Sequence, residues 1–384
     1  MRVAHLCADP GVPVHGRKGS SVHVQEVVRA LRNRGHEVAL VAARVGGPAP
    51  PDLADVPVRR IELPGHDGTS EGREAARRAM GCGSAGALDD LGPLDLVYER
   101  YSLWGAGGMA WARDAGIPGV LEVNAPLPEE QHRYRDLHDT AGAVEVARSA
   151  VEAATVVVTV SEPLRRWVLD VSGADPAKVH VVPNGVDVAR FGPRSHRTGP
   201  EEAVTFGFVG TLKPWHGLDV LVDALPLVDP AVRWRLLVVG DGPERAMLEE
   251  RSSGVAGEVE LVGAADPGAV PALLRRVDVA VAPYPGSATY FSPLKLYEYL
   301  AAGLAVVATD VPPVTGVIEH GRTGLVVRPD DPAALAAGLS ELAADPRRRR
   351  VLGRRGRALV EHRHTWDAVV RTILDLVPER AAIR

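Results

Sequence analysis

The sequence predicts an α/β protein built from two Rossmann-like parallel-sheet domains. Three observations predict it. Short β-rich runs alternate with helical patterns along the chain, as parallel α/β architecture requires. The alternation breaks once, in a stretch without an apolar period, and then restarts. The chain's 384 residues exceed one ordinary core, and 46% apolar residues are enough to fill an interior in each half.

In the first half, Arg2–Cys7, Glu37–Ala42, Val58–Leu63, Leu94–Glu99, Val120–Val123, Thr155–Val160 and Val179–Val182 read as strands. Several are apolar almost throughout, as in a sheet covered on both faces. Ser20–Arg34 carries Val24, Val27, Val28 and Leu31 at helical spacing and ends at Gly35, a C-cap residue. The second half gives strands at Val204–Val209, Trp234–Val239, Val259–Val262, Val277–Ala282, Ala305–Thr309 and Leu325–Val327. Domains are therefore expected at 1–190 and 203–363, with a Gly-, Pro-, Ser- and Arg-rich linker at 191–202. A final segment, 364–384, carries helix Trp366–Val377 after the second sheet is complete, and is expected to cross back to the first domain.

Composition excludes several classes. A formal net charge of -5 argues against a nucleic-acid partner, which would call for a basic footprint. The run Arg347–Arg350 reads as a solvated helix face. Two cysteines, Cys7 and Cys82, make neither a disulfide framework nor a metal-ligand cluster. Apolar runs are strand-sized, so no membrane segment is expected. Met1–Ala8 reads as strand rather than leader, and the expectation is a cytoplasmic enzyme. Only four of the 44 basic residues are lysines: Lys18, Lys178, Lys213 and Lys295.

Ligands of open parallel sheets bind beyond the carboxyl ends of strands, where helix N-termini favour anions. Four loops are placed for this. Gly16-Arg17-Lys18-Gly19-Ser20-Ser21 follows the first strand, with Ser20 as N-cap and Gly19 allowing close backbone approach. Gly210-Thr211-Leu212-Lys213-Pro214-Trp215-His216-Gly217 offers amides, a hydroxyl, a lysine and a histidine as a diphosphate cradle. In Phe291–Gly303, Ser292 caps and Pro293 opens a helix, and Glu298 falls on its otherwise apolar body. A carboxylate there needs donors, which a ribose diol supplies. Gly240-Asp241-Gly242-Pro243-Glu244 is a turn into the next helix.

Together these segments, with Val182-Pro183-Asn184-Gly185-Val186-Asp187 and Val306-Val307-Ala308-Thr309, resemble the GT-B retaining glycosyltransferases of family 4. The resemblance spans nearly the whole chain. It implies two facing Rossmann-like domains with a cleft between them, a nucleotide-sugar donor on the second domain and a small-molecule acceptor on the first. It implies no required metal or other cofactor. Carried over by position, Glu298 would bind ribose and Val262 the base. Gly210, Thr211, Lys213 and His216 would line the diphosphate loop, with the amides of Ser292, Pro293, Leu294 and Lys295 beside it.

This chain departs from the family pattern in three places. Thr211 and His216 stand where Arg and Lys are usual, so Lys213 would carry the positive charge; Tyr290 replaces the first glutamate of a pair; Asn124 replaces a histidine. The expected catalytic set is therefore Asn124, Lys213 and His216, with the leaving phosphate taking the acceptor proton. UDP or dTDP is the expected donor nucleotide, with a GDP-sugar transferase of cell-envelope glycans as the alternative. A nucleotide-sugar 2-epimerase and a non-catalytic binding protein are the rivals from other classes. Arg17, Lys18, Arg133 and Arg135 would gather positive charge on the acceptor side of an acidic protein. That pattern suggests a phosphorylated cyclitol or aminocyclitol acceptor in antibiotic or sugar-metabolite biosynthesis.

Overall fold

A computed structural model describes residues 1–134, 136–192, 203–288, 290 and 293–378; of Cys82 and Tyr134 only the backbone is described. The chain divides into two compact units, Met1–Asn184 together with the segment from Trp366, and Gly185–Thr365.

The first unit runs β1 (Arg2–Cys7), α1 (Gly19–Asn33), β2 (Glu37–Ala42), β3 (Val58–Arg60), α2 (Ser70–Asp89), β4 (Leu96–Arg100), α3 (Gly107–Asp114), β5 (Gly119–Val123), α4 (Leu127–Tyr134), α5 (Thr140–Ala153), β6 (Val156–Thr159), α6 (Glu162–Ser172) and β7 (Val179–Val181). Its seven strands, all parallel, lie in the order β3-β2-β1-β4-β5-β6-β7. Apolar side chains from alternate strand positions fill a core on each face. Val3, Leu40, Leu96 and Tyr98 pack on one side, and Ala4, Leu6, Val41 and Val97 on the other.

The second unit runs β8 (Val204–Val209), α7 (Leu218–Ala224), β9 (Trp234–Val239), α8 (Arg245–Ser252), β10 (Glu258–Gly263), α9 (Val270–Leu274), β11 (Val279–Ala282), α10 (Leu294–Ala301), β12 (Ala305–Thr309), α11 (Pro312–Thr315), β13 (Leu325–Val327), α12 (Pro332–Ala344) and α13 (Pro346–Arg363). The sheet order is β10-β9-β8-β11-β12-β13, again parallel. It too is covered on both faces. The last helix, α14 (Trp366–Asp375), belongs to the first unit. Its Trp366 meets the His23 ring edge-on at 5.0 Å, and Asp367 pairs with Arg34 of α1 at 3.3 Å.

The chain leaves the first unit between Asn184 and Gly185, ahead of the linker expected at 191–202. Phe191 is buried in the second core, and Arg357 of α13 donates to its carbonyl. The rest of that linker, 193–202, lies outside the described residues.

Two helix starts differ from expectation. Ser20 is already inside the first turn of α1; the N-cap is Lys18, without a side-chain cap bond. Pro293 is the N-cap of α10 and Leu294 its first residue, while Ser292 lies outside the described residues. Gly35 takes φ +82 and closes α1 as the left-handed residue a helix end favours.

Candidate functional site

In the second unit the sheet order reverses between β8 and β11, so the loops after these strands meet at the topological switch point. Their contact is backbone on backbone. Gly217 sits at φ +64, and a methyl there would overlap the Pro283 carbonyl oxygen. Gly240, after β9, takes φ +141 and leaves no room for a methyl against the Gly210 carbonyl. Gly210 is itself at φ +151, its amide bonded to the Val239 carbonyl at 2.9 Å. The Leu212 amide reaches the Asp241 carbonyl at 3.0 Å, and the Glu244 amide returns to the Leu212 carbonyl at 3.1 Å. Three glycine-bearing loops thus form one backbone-rich floor.

Helix α10 stands beside this floor. Lys295, Glu298 and Tyr299 are three and four residues apart and share one side of it. The Tyr299 hydroxyl accepts from the Val209 amide at 2.8 Å, fixing the end of β8. One turn earlier, Lys295 Nζ is buried between aromatic faces, 4.2 Å from the Phe208 ring centre and 5.3 Å from that of Tyr284. Burial lowers its pKa from 10.5 to about 7, against the pull of Glu298. Glu298 is partly buried; burial raises its pKa to about 7, offset by Arg190 and Lys295. Arg190 is held by the Pro267 carbonyl at 3.0 Å. Tyr284 is held by Thr309, whose hydroxyl donates to the Tyr284 carbonyl at 2.6 Å. Asp330 is the one described non-glycine residue at positive φ, +54, and accepts from the Gly286 amide at 2.9 Å.

The loop residues singled out by sequence divide. His216 Nδ1 lies 2.6 Å from the Thr211 carbonyl and donates to it, so Nε2 carries the lone pair. Burial and the nearby Lys295 drive its pKa down to about 3, which leaves the imidazole neutral. Lys213 instead lies 5.5 Å from the centre of the Trp215 ring, itself 47% exposed. Thr211 is exposed. Val262 is 38% exposed and lies where the β10–β9 register slips between Leu261 and Gly263. The slip leaves Val262 without a cross-strand partner and turns its peptide out of the ladder.

In the first unit the corresponding reversal falls between β1 and β4. Gln25 of α1 pins the loop after β1 by donating to the Val14 and Gly16 carbonyls at 2.9 and 3.0 Å. Arg17, Lys18 and Gly19 are exposed at its end. Asn124 follows β5, with its amide nitrogen buried and no hydrogen-bond partner in reach. Arg133 is exposed near the end of α4, and Arg135 lies outside the described residues. Beneath Asn124 a polar network threads the core: Glu122 Oε1 is 2.9 Å from His23 Nε2, and Arg100 Nη1 is 3.4 Å from His23 Nδ1. Burial works against the Glu122 carboxylate, yet His23, Arg100 and His5 together hold its pKa down to about 2.

Sequence reasoning missed a cavity of about 190 Å³ beside α2, lined by Arg73, Glu74, Arg77, Trp104, Gln131 and Asp136 among others. Arg73 and Arg77 are four apart on one helix face, a spacing visible in the sequence. Trp104 arrives from the loop after β4 and Gln131 from α4, which only the fold brings together. Among the described residues no group of three or more His, Cys, Asp or Glu is placed to hold a metal ion. None of the described helices is long and apolar enough to cross a membrane.

Comparison with known proteins places this geometry. Residues 203–345 match the family described as Glycosyl transferases group 1, and residues 17–190 match Glycosyltransferase Family 4. The D-inositol 3-phosphate glycosyltransferase of Thermomonospora curvata is 30% identical, covering 93% of this chain and 90% of its own. The phosphatidyl-myo-inositol mannosyltransferase of Mycolicibacterium smegmatis is also 30% identical, over 93% of this chain and 89% of its own. Among solved structures, Anabaena HepE in complex with UDP superposes with a TM-score of 0.72 at 18% identity, covering 98% of this chain and 99% of its own. With a relative at this identity along nearly the whole length and both units matched, the fold is GT-B, the protein is a glycosyltransferase, and the chain belongs to glycosyltransferase family 4.

Proposed function

We propose that this enzyme transfers a sugar, with retention, from a UDP- or dTDP-sugar to a hydroxyl of a small phosphorylated cyclitol. The observation that carries the donor half is the partly buried Glu298, on the helix that stands beside the glycine-built floor at the switch point of the second sheet. A ribose hydroxyl donating to this carboxylate would offset its burial, and the first amides of α10, which no carbonyl of their own helix serves, would face the diphosphate. Val262, turned out of its ladder, suits an edge of the base. That Anabaena HepE was crystallised with UDP supports a uridine donor. The charge of the departing diphosphate is met by amides and cationic side chains rather than by a metal, and grows as the glycosidic bond breaks. The leaving phosphate then accepts the acceptor's proton on the same face. Asn124, with an unsatisfied amide nitrogen, orients a substrate hydroxyl.

The acceptor half rests on charge. Arg17 and Lys18, at the end of the loop after β1, offer cations on the carboxyl side of the first sheet. The names of the inositol-phosphate and phosphatidylinositol relatives fit a cyclitol phosphate. Aminocyclitol antibiotic assembly is one setting that uses such acceptors. A thermal-shift panel of UDP, dTDP and GDP tests the donor; at a hundred times its Kd the right nucleotide stabilises by ~2.7 kcal/mol. Comparing a cyclitol phosphate with the free cyclitol, in wild type and Lys18→Ala, tests the acceptor. Equal use of both by wild type refutes the phosphate site, and preference for GDP overturns the pyrimidine donor.

A further inference from the structure

The Lys295 ammonium poses a physical problem. It carries three N–H donors, yet no acceptor among the described residues reaches it. The rings of Phe208 and Tyr284 give it only cation–π contact, which offsets part of the desolvation and satisfies none of the donors. A buried cation so placed costs stability unless something else binds there. It also lies against the glycine floor: a methyl on Gly210 would come within 3.0 Å of Nζ. Lys213, the loop lysine, sits instead by the exposed Trp215 ring.

We infer that Lys295, not Lys213, is the cation that grips the donor's diphosphate, its ammonium left unpaired at the Gly210 turn to receive a phosphate oxygen. This inference rests on the donor-site reading above. The chemistry balances without a covalent step: a phosphate oxygen accepts from the ammonium, and a lysine that was neutral beforehand takes its proton from solvent.

The groups facing Lys295 settle the direction of proton traffic. Glu298 lies on the same helix, His216 and Phe208 come from the β8 side, Tyr284 from the loop after β11, and Arg190 faces Glu298. At pH 8 a lysine with a pKa of about 7 is mostly neutral. Glu298, also at about 7, is then mostly ionised, and His216, at about 3, is neutral. Tyr284 stays protonated, burial holding its pKa well above 10.0. Diphosphate binding at pH 8 therefore draws in close to one proton, and Lys295 takes it.

The test is calorimetric titration of UDP, dTDP and GDP into wild type, Lys295→Met and Lys213→Met, at pH 8 in two buffers of unlike ionisation enthalpy. Wild type and Lys213→Met are expected to take up nearly one proton with the diphosphate that binds. Lys295→Met is expected to lose that uptake and to bind the diphosphate about tenfold to a hundredfold more weakly, while uridine or the matching nucleoside binds unchanged. Lys295→Gln serves as a second uncharged variant should the methionine variant not fold. Wild-type affinity and proton uptake in either folded Lys295 variant overturn the inference and leave the donor site standing. Failure of wild type to bind any of the three nucleotides sinks both.

Discussion

Replacing Gly240 by alanine perturbs the floor proposed for the donor at one atom. Gly240 sits at φ +141, and a methyl there would overlap the Gly210 carbonyl oxygen and lie 2.8 Å from its carbon. The neighbour is backbone, so relief requires the loop to retreat by roughly 1 Å. Strained backbone of this kind costs about 1–3 kcal/mol, and in a unit of this size each kcal/mol lowers Tm by roughly 2–4 °C. Gly303 provides the control. It is also at positive φ, +70, but nothing lies within 4 Å of where its methyl would point. Gly303→Ala is therefore expected to lose about 1–2 kcal/mol without moving the loop. The two variants part in turnover: if the floor holds the diphosphate as proposed, a displacement near 1 Å costs roughly a hundredfold, whereas Gly303→Ala should turn over like wild type. The assay is release of nucleoside diphosphate from the accepted nucleotide sugar, beside a thermal melt of each variant. Full turnover in Gly240→Ala would refute the idea that the Gly210–Gly240 approach sets the floor.

Two further predictions concern buried charge. Lys295→Met is expected to stabilise the unliganded protein by roughly 1–3 kcal/mol near pH 6, because it removes an unpaired ammonium. Unfolded, the lysine keeps its proton up to about 10.5, folded only to about 7, so wild type gains stability as pH rises between these values. The variant's advantage should accordingly shrink toward pH 10, and a variant less stable than wild type at pH 6 would contradict this. Glu99 in the first unit is fully buried, and burial raises its pKa to about 8, with the Met109 amide pulling the other way. The folded state thus holds a proton that the unfolded state releases near pH 4.5, and this group's contribution to stability falls as pH rises from there to 8. Glu99→Gln should flatten that slope in urea midpoints between pH 5 and 8; an unchanged slope would show that Glu99 ionises normally.

Much of the fold was legible because parallel strands buried on both faces announce themselves as apolar runs. Arg2–Cys7, Glu37–Ala42, Val204–Val209, Trp234–Val239, Ala305–Thr309 and Leu325–Val327 stand where the sequence places them. The misplacements have local causes. Val277 and Asp278 lie before β11 rather than in it, Asp278 serving as acceptor for the Thr205 amide at 2.9 Å. β4 extends to Arg100, a charged residue that the polar network around His23 accommodates. The loops that meet at the switch point of the second sheet were readable from their glycines, whose need for positive φ and close approach is a property of single residues. The role of Lys295 was not readable as a side chain. Its isolation depends on rings from Phe208 and Tyr284, distant in sequence. The Arg73–Arg77 cavity escaped for the same reason, since Trp104 and Gln131 complete it from two other elements.

The central claim is that the second unit holds a nucleotide-sugar donor by its ribose at Glu298 and that the enzyme breaks the sugar–phosphate bond there. It is tested most directly by incubating wild type and Glu298→Gln with UDP-, dTDP- and GDP-sugars and following nucleoside diphosphate release by phosphorus NMR. The account predicts release by wild type from at least one pyrimidine nucleotide sugar, faster with a cyclitol phosphate present, and its loss in a folded Glu298→Gln. No release from any donor, or undiminished release by Glu298→Gln, would contradict it.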